Sequence, residues 1–328
     1  MPRYYTGLKA WPEEAVGFPF QAKAWVYDVV DHDPLGTYSS ISQPAPREVV
    51  IEASTEALAR RANDLVWAAF TIVTGGELSI DLFNLDRTLT EEYVAIKQNQ
   101  IQQRHYMCEA GGIPLACEIA AMASFRRSTI YACMKMYFSH DCCTTSLVDL
   151  DPHFATETFI PTKREVFHVR LAQAIVLAYG AIEELGLEVR ASNKRPSSLP
   201  DGTWNPEVKQ ELEARLTKSG IDLADRFNWT IRGGKTRLER DKPRNIHRNA
   251  TKSPWTRWTV RDRMIDIVDA IAHASWLRSQ VASHRLRAER AGLLTAYDVA
   301  NMQFLVRRLL YEKLGIWKRE VRRAADAT

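Results

Sequence analysis

The chain has 328 residues, 45% of them hydrophobic and 26% charged, with a net charge of +4 and a pI of 8.7. These are the values of an ordinary soluble globular protein, long enough for two domains. No apolar run reaches the roughly eighteen residues that a bilayer span needs, and MPRYYTGLKAWPEEAV lacks the apolar core of a signal peptide, so a cytoplasmic protein with no membrane partner is expected.

Residues 1 to 50 are rich in Pro, Tyr and Trp and carry no helical period. They read as extended segments and turns, with PREVVIEA as a short strand. Thr55 to Thr74 is expected to be a helix: Ala57, Leu58, Ala62, Leu65, Ala69 and Ile72 form its stripe. Ser54 or Thr55 can cap its start and Gly75-Gly76 stops it. Thr88 to about Arg104 reads as a second helix, with Thr88 and Glu91 as a capping box and a polar surface all round. Pro114 to about Phe138 is apolar on more than one face and should be a central helix of the first domain.

All five cysteines, Cys108, Cys117, Cys133, Cys142 and Cys143, fall in one third of the chain. Their odd number argues against a disulfide framework and their spacing fits no zinc pattern, which leaves buried apolar thiols. Asp31, His32 and Asp33 lack convergent partners elsewhere, so no metal site is expected. The stretch from His140 has no helical period and looks like a connector. The chain is therefore expected to divide near residue 160, into a mostly helical regulatory or assembly domain, 1–160, and a helical domain, 161–328.

Arg164 to Val189 is strongly helical, with Val169, Ala172, Ile175, Val176, Tyr179 and Ile182 on the apolar face. Glu183 falls on that stripe, one turn beyond Tyr179, while Glu184 points about 100° away. SNKRPSSLPDGTW is a loop by composition. Asn205-Pro206 starts a helix that runs to Gly220, and WTIRGGKTRLE reads as a hairpin turning at its Gly-Gly. Residues 190–257 are thus an insertion between two long amphipathic helices. From Arg226 to Arg263 the sequence holds twelve Lys or Arg and three Asp or Glu, with Trp229, Trp255 and Trp258 among them. Clustered cations with interleaved aromatics suit a groove for single-stranded nucleic acid. The expected track is Trp229, Arg232, Lys235, Arg237, Arg244, His247, Arg248, Trp255 and Arg257.

In 260–284, Val260, Met264, Ile267, Val268 and Ile271 recur at helical spacing. The stripe continues past Ala274 and Ser275 and lands on Arg278, a charge that is costly to bury without a partner. His284 follows. Six residues on an unbroken helix leave two side chains about 120° out of register, so they converge only if the helix ends between them or a second subunit supplies the partner. Ser279 and Ser283 can end a helix by competing for its backbone. A last helix is expected from Ala296 to Trp317, with Val299, Met302, Leu305, Val306, Leu309 and Leu310 on its core face. No Walker A loop, GxGxxG, HExxH or GxSxG occurs, so no cofactor is expected.

The run R-S-Q-V-A-S-H resembles the R-x4-6-H signature of HEPN domains, small helical bundles of prokaryotic RNA-cutting toxins and defence proteins. The order of the three long helices, with the motif between the second and third, is similar too, so the resemblance covers about 165 to 317 less the insertion. Ser279 stands where such domains often carry Asn, Asp or His. The resemblance implies a mainly α fold, a HEPN-like helical bundle with an inserted basic hairpin. It also implies metal-independent cleavage of RNA, tRNA or mRNA, by a homodimer or higher homo-oligomer, alongside a defence-system partner protein. Arg278, Ser279 and His284 would form the site. His284 would take the proton of a ribose 2′-hydroxyl and Arg278 would hold the attacked phosphate. Glu183, from its place on the facing stripe, would orient or neutralise Arg278. The alternative is a catalytically silent HEPN-like subunit that binds nucleic acid or protein within a larger complex.

Overall fold

In RYYTGLKA the side chains of Thr6, Leu8 and Ala10 are buried and those between them are exposed. That two-residue period makes Arg3–Ala10 a strand, β1, rather than an irregular segment. The computed structural model describes residues 1–31, 47–75, 112–142, 161–200, 203–224, 226–232, 260–282 and 296–317. They fall into two units, Met1–Thr144 and Thr145–Thr328, a division that precedes the boundary expected near residue 160.

The first unit is built on a sheet. β1, β2 (Phe20–Gln21), β3 (Trp25–Val30) and β4 (Arg47–Ala53) form four antiparallel strands in the order β1-β4-β3-β2. β4 lies inside the sheet, and its Val49, Val50 and Ile51 are all fully buried, so this strand shows no alternation. Gly7, with φ at 80°, sits where the β1–β4 register shifts between Tyr5 and Lys9, a backbone that a side chain resists. A short helix, α1 (Pro12–Ala15), follows β1. α2 (Glu56–Thr74) starts where the Thr55 hydroxyl accepts the Leu58 N–H and ends at Gly75 in the left-handed conformation, as the sequence suggested. It packs on β1, β3 and β4. Tyr27 donates to the Ala62 carbonyl at 2.8 Å and Trp67 to that of Thr6 at 3.0 Å, tying the helix to the sheet.

The helix expected over Pro114 to Phe138 is two helices, α3 (Gly112–Ala123) and α4 (Arg127–Asp141). The break at 124–126 is hydrogen-bonded: the Ser124 hydroxyl accepts the Lys23 N–H, and the Thr129 hydroxyl donates to the Ala123 carbonyl. Cys117 and Cys133 are buried, and burial alone pushes the Cys133 thiol up to about 12. Cys142 is half-buried; Cys108 and Cys143 lie outside the described residues, as does the helix expected from Thr88 to Arg104.

The second unit holds α5 (Pro161–Glu184), α6 (Pro206–Lys218), β5 (Arg226–Arg232), β6 (Val260–Asp266), α7 (Ile267–Ala282) and α8 (Ala296–Lys313). α5 packs against both α7 and α8, and α8 also packs on β5. The expected core residues of α8, Val299, Met302, Leu305, Val306, Leu309 and Leu310, are all buried. Five polar residues of that helix, Asp298, Asn301, Gln303, Arg308 and Glu312, are buried with them. Arg308 is ion-paired to Glu312 at 2.8 Å and lies over the Trp317 ring at 3.5 Å.

The expectation of a mainly α protein is therefore overturned. The described residues contain eight helices and six strands, and the first unit rests on a four-stranded sheet, so the fold is mixed α/β. The segment Val260–Asp266, expected to be helical, is strand β6. Val260 and Met264 are four residues apart, a spacing that satisfies a two-residue period as well as a helical one. β6 pairs antiparallel with β5, Trp229 opposite Arg263 and Arg232 opposite Val260, so WTIR finds its partner well beyond Gly233-Gly234. The KTRLE arm of the expected hairpin lies outside the described residues. Among the described residues no helix is long and apolar enough to cross a membrane.

Candidate functional site around helix α7

Helix α7 begins without a loop. Asp266 is the last residue of β6, and its carboxylate accepts the Asp269 N–H at 2.8 Å, which caps the first turn. Asp269 accepts in turn from the Trp204 indole N–H at 3.2 Å, joining the 190–205 segment to the same turn.

One turn on lies His273, fully buried. The Trp229 indole N–H of β5 donates to its Nδ1 at 3.0 Å, so the neutral imidazole carries its proton on Nε2. Nε2 is buried and has no hydrogen-bond partner among the described residues. The ring stacks on Trp276 (centroids 5.6 Å apart, planes 20°) and meets Trp229 edge-on at 5.5 Å. Burial pulls its pKa down to about 3, so it is neutral at physiological pH. Trp229, expected on a nucleic-acid track, is instead a core side chain with none of its surface exposed. At that β5 position the side chain faces α7, where its indole meets His273.

Near the end of α7, Arg278 and Glu183 meet at 3.4 Å. The pairing of the two helices through these residues was expected, but both were placed inside, and both are substantially exposed, at 46% and 40% of their side-chain surface. Both stripes turn inward as read: Ile267, Val268, Ile271 and Ala274 of α7 and Ile175, Tyr179 and Ile182 of α5 are buried, while Val169, Val176 and the two charges at the ends of the stripes are exposed. Arg278 sits at the rim between the helices, where water carries part of its solvation.

Tyr179 holds this rim in place. The Arg278 guanidinium lies 5.6 Å from its ring centroid. The Tyr179 hydroxyl accepts the Val189 N–H at 3.2 Å and shares a hydrogen bond with the Ser275 hydroxyl. Burial, foremost, raises its pKa, so it stays a neutral phenol. Glu183 lies one turn beyond Tyr179 on α5, and Ser275 one turn before Arg278 on α7, so two i,i+3 or i,i+4 pairs face each other. Arg215 of α6 ties down the chain that leaves α5, donating to the Gly186 and Glu188 carbonyls at 2.8 and 2.7 Å.

No protein-family model matches this chain, and no curated protein or solved structure matches it either.

The remaining expected residues fall as follows. Ser279 does not end α7: its hydroxyl donates back to the Trp276 carbonyl at 2.7 Å, within a helix that runs to Ala282. His284 lies two residues past that end and outside the described residues. Arg232 closes β5 opposite Val260. Lys235, Arg237, Arg244, His247, Arg248, Trp255 and Arg257 lie outside the described residues. Among those described, no group of three or more His, Cys, Asp or Glu could hold a metal. His273, Trp276, Ser275 and the hydroxyl of Tyr179 were missed. The signal for the first pair was present, since an imidazole and an indole three apart on a helix share a face.

Proposed function

We propose that the chain is an endoribonuclease of the HEPN type, with Arg278 as the phosphate-holding cation and His284 as the general base. One observation carries the reading: a guanidinium poised at an exposed helix rim, backed by an aromatic ring, six residues before a histidine. Arg278 is open enough to meet a phosphate, and Tyr179 and Glu183 limit where it can point. The mutual packing of α5, α7 and α8 supports the resemblance, and the sheet of the first unit is an addition to it.

The chemistry follows from the two groups. Neutral His284 removes the proton of a ribose 2′-hydroxyl; the oxygen attacks the adjacent phosphorus, the P–O5′ bond breaks, and the 5′-oxygen of the next nucleotide leaves with the proton returned by the imidazolium. Arg278 shares the charge that builds on the non-bridging oxygens. The products are a 2′,3′-cyclic phosphate and a 5′-hydroxyl. The exposed Val169 and Val176 of α5 support a second copy seated beside the rim, which would bring two such motifs together. A defence setting, with tRNA or mRNA as target, comes from the resemblance.

The ion pair itself favours a second reading, a silent RNA- or protein-binding subunit, because Glu183 already neutralises Arg278. The test is incubation with labelled RNA in EDTA. Cleavage to cyclic-phosphate ends that both Arg278→Ala and His284→Ala abolish is the result expected. Cleavage that survives both substitutions, or toxicity on expression that survives both, sinks the proposal.

A further inference from the structure

The aromatic and basic combination expected along 226–263 recurs, in exposed form, in the first unit. On one face of α4 stand Arg127, Tyr131, Lys135 and Phe138, spaced four, four and three residues apart and hence in a single row. Phe125 and Arg126, both exposed, stand just before the start of the helix. Phe125, Tyr131 and Phe138 are 55%, 43% and 51% exposed. The opposite face is spent on the core, with Ile130, Cys133 and Met136 buried and α4 packed on α2. The row is therefore not a misplaced core face. The Arg127 guanidinium lies over the Tyr131 ring, 5.2 Å from its centroid, and donates to its hydroxyl at 3.2 Å, which holds a cation beside one ring.

We infer that this face of α4 is a platform for single-stranded RNA, with Phe125, Tyr131 and Phe138 stacking on bases and Arg126, Arg127 and Lys135 facing phosphates. Planar rings alternating with cations suit a ligand that alternates planar bases with anions, and they need no sequence in it. The charge argues against a second copy of the chain. A two-fold contact sets the same patch against itself, and here that brings three cations near three cations. An aliphatic partner helix would find few aliphatic side chains to meet. The inference stands whether or not His284 cuts.

The experiment is fluorescence anisotropy on the full chain with a labelled dodecamer of 2′-O-methyluridine, which lacks the attacking hydroxyl. Wild type binds with an affinity that falls with salt. Tyr131→Ala with Phe138→Ala weakens binding about tenfold or more, while Tyr131→Phe alone leaves it near wild type. Arg126→Glu with Lys135→Glu reduces the salt slope by about two. Arg126 is exposed and Lys135 half-buried, and neither is in the core, so this pair carries the test should the double alanine variant fail to fold. Three results overturn the inference: no binding by wild type, binding untouched by both sets of variants, or a wild-type dimer in sedimentation that Phe138→Ala takes apart. Preferential binding of an acidic peptide over the oligonucleotide overturns it too. A chain that binds through α4 yet cuts no RNA sinks the nuclease reading alone; one that cuts while binding ignores α4 sinks this inference alone.

Discussion

His273 and Arg278 are five residues apart on α7, about 1.4 turns, and the fold treats them in opposite ways. The imidazole, the group better suited to proton transfer near neutral pH, is enclosed by two indoles and kept uncharged. The guanidinium stands at a rim, half in water, with a carboxylate and a phenol ring to steer it. Residue type alone would nominate the histidine for chemistry. Burial reverses the choice: a side chain that no substrate can reach acts on the fold, and one that keeps its solvent access can act on a ligand.

The contrast can be broken most forcefully at its buried end. Trp229→Ala removes a fully buried indole and leaves His273 Nδ1 without its donor. It is expected to cost about 3–5 kcal/mol in urea denaturation, carried by the second unit. A loss under about 1 kcal/mol would mean that the indole is not in the core. At the exposed end, Arg278→Ala is expected to lower RNA cleavage by about a hundredfold or more while changing the unfolding midpoint little. A large loss of stability there would move Arg278 to the same class as His273.

Acid sharpens the difference. His273 has a folded value of about 3 against an ordinary 6.5. The unfolded chain binds the proton more readily across that window. The contribution of this residue is therefore complete above pH 6.5 and is lost as pH falls toward 3, by at most about 1.4 kcal/mol per pH unit. His273→Asn, which keeps an acceptor near the Trp229 N–H but does not titrate, should flatten that part of the stability profile. An unchanged profile would show that carboxylates elsewhere set the acid limit.

Smaller effects belong to the joints. Asp266→Ala removes the cap of α7 and is expected to cost about 1 kcal/mol in thermal unfolding. Glu183→Gln should change stability by less than about 1 kcal/mol, since the pair is exposed, and should tighten RNA binding by releasing Arg278. Weaker binding in that variant would make Glu183 an orienting group rather than a neutralising one.

What could be read from the sequence follows the range of the interactions. Thr55 and Gly75 bracket α2, and Asn205-Pro206 opens α6, because caps are decided within three or four residues. The α8 stripe was legible for the same reason. The Glu183–Arg278 meeting was legible too: the stripes through Ile267, Val268, Ile271 and Ala274 and through Ile175, Tyr179 and Ile182 are buried as read, and only their last members, the two charges, come out at the rim. β6 was not legible. Its register is set by β5, whose Trp229 stands opposite Arg263 across more than thirty residues of chain, and Val260 and Met264 fit either period. Of the first unit's sheet only β4 was legible, as the strand read in PREVVIEA; β1, β2 and β3 were read no further than extended segments, because their pairing is set across the sheet and not within each stretch. Trp229 failed for a related reason: composition counts an aromatic among cations without saying which face of the pleat it takes.

No residue separates β6 from α7: Asp266 ends the one and Ile267 begins the other. The two-stranded ribbon and the helix therefore share a stiff elbow, further braced where Trp229 grips His273. A displacement of the ribbon has little slack to absorb it and reaches the helix as a tilt, turning the ribbon into a lever on the rim where Arg278 stands.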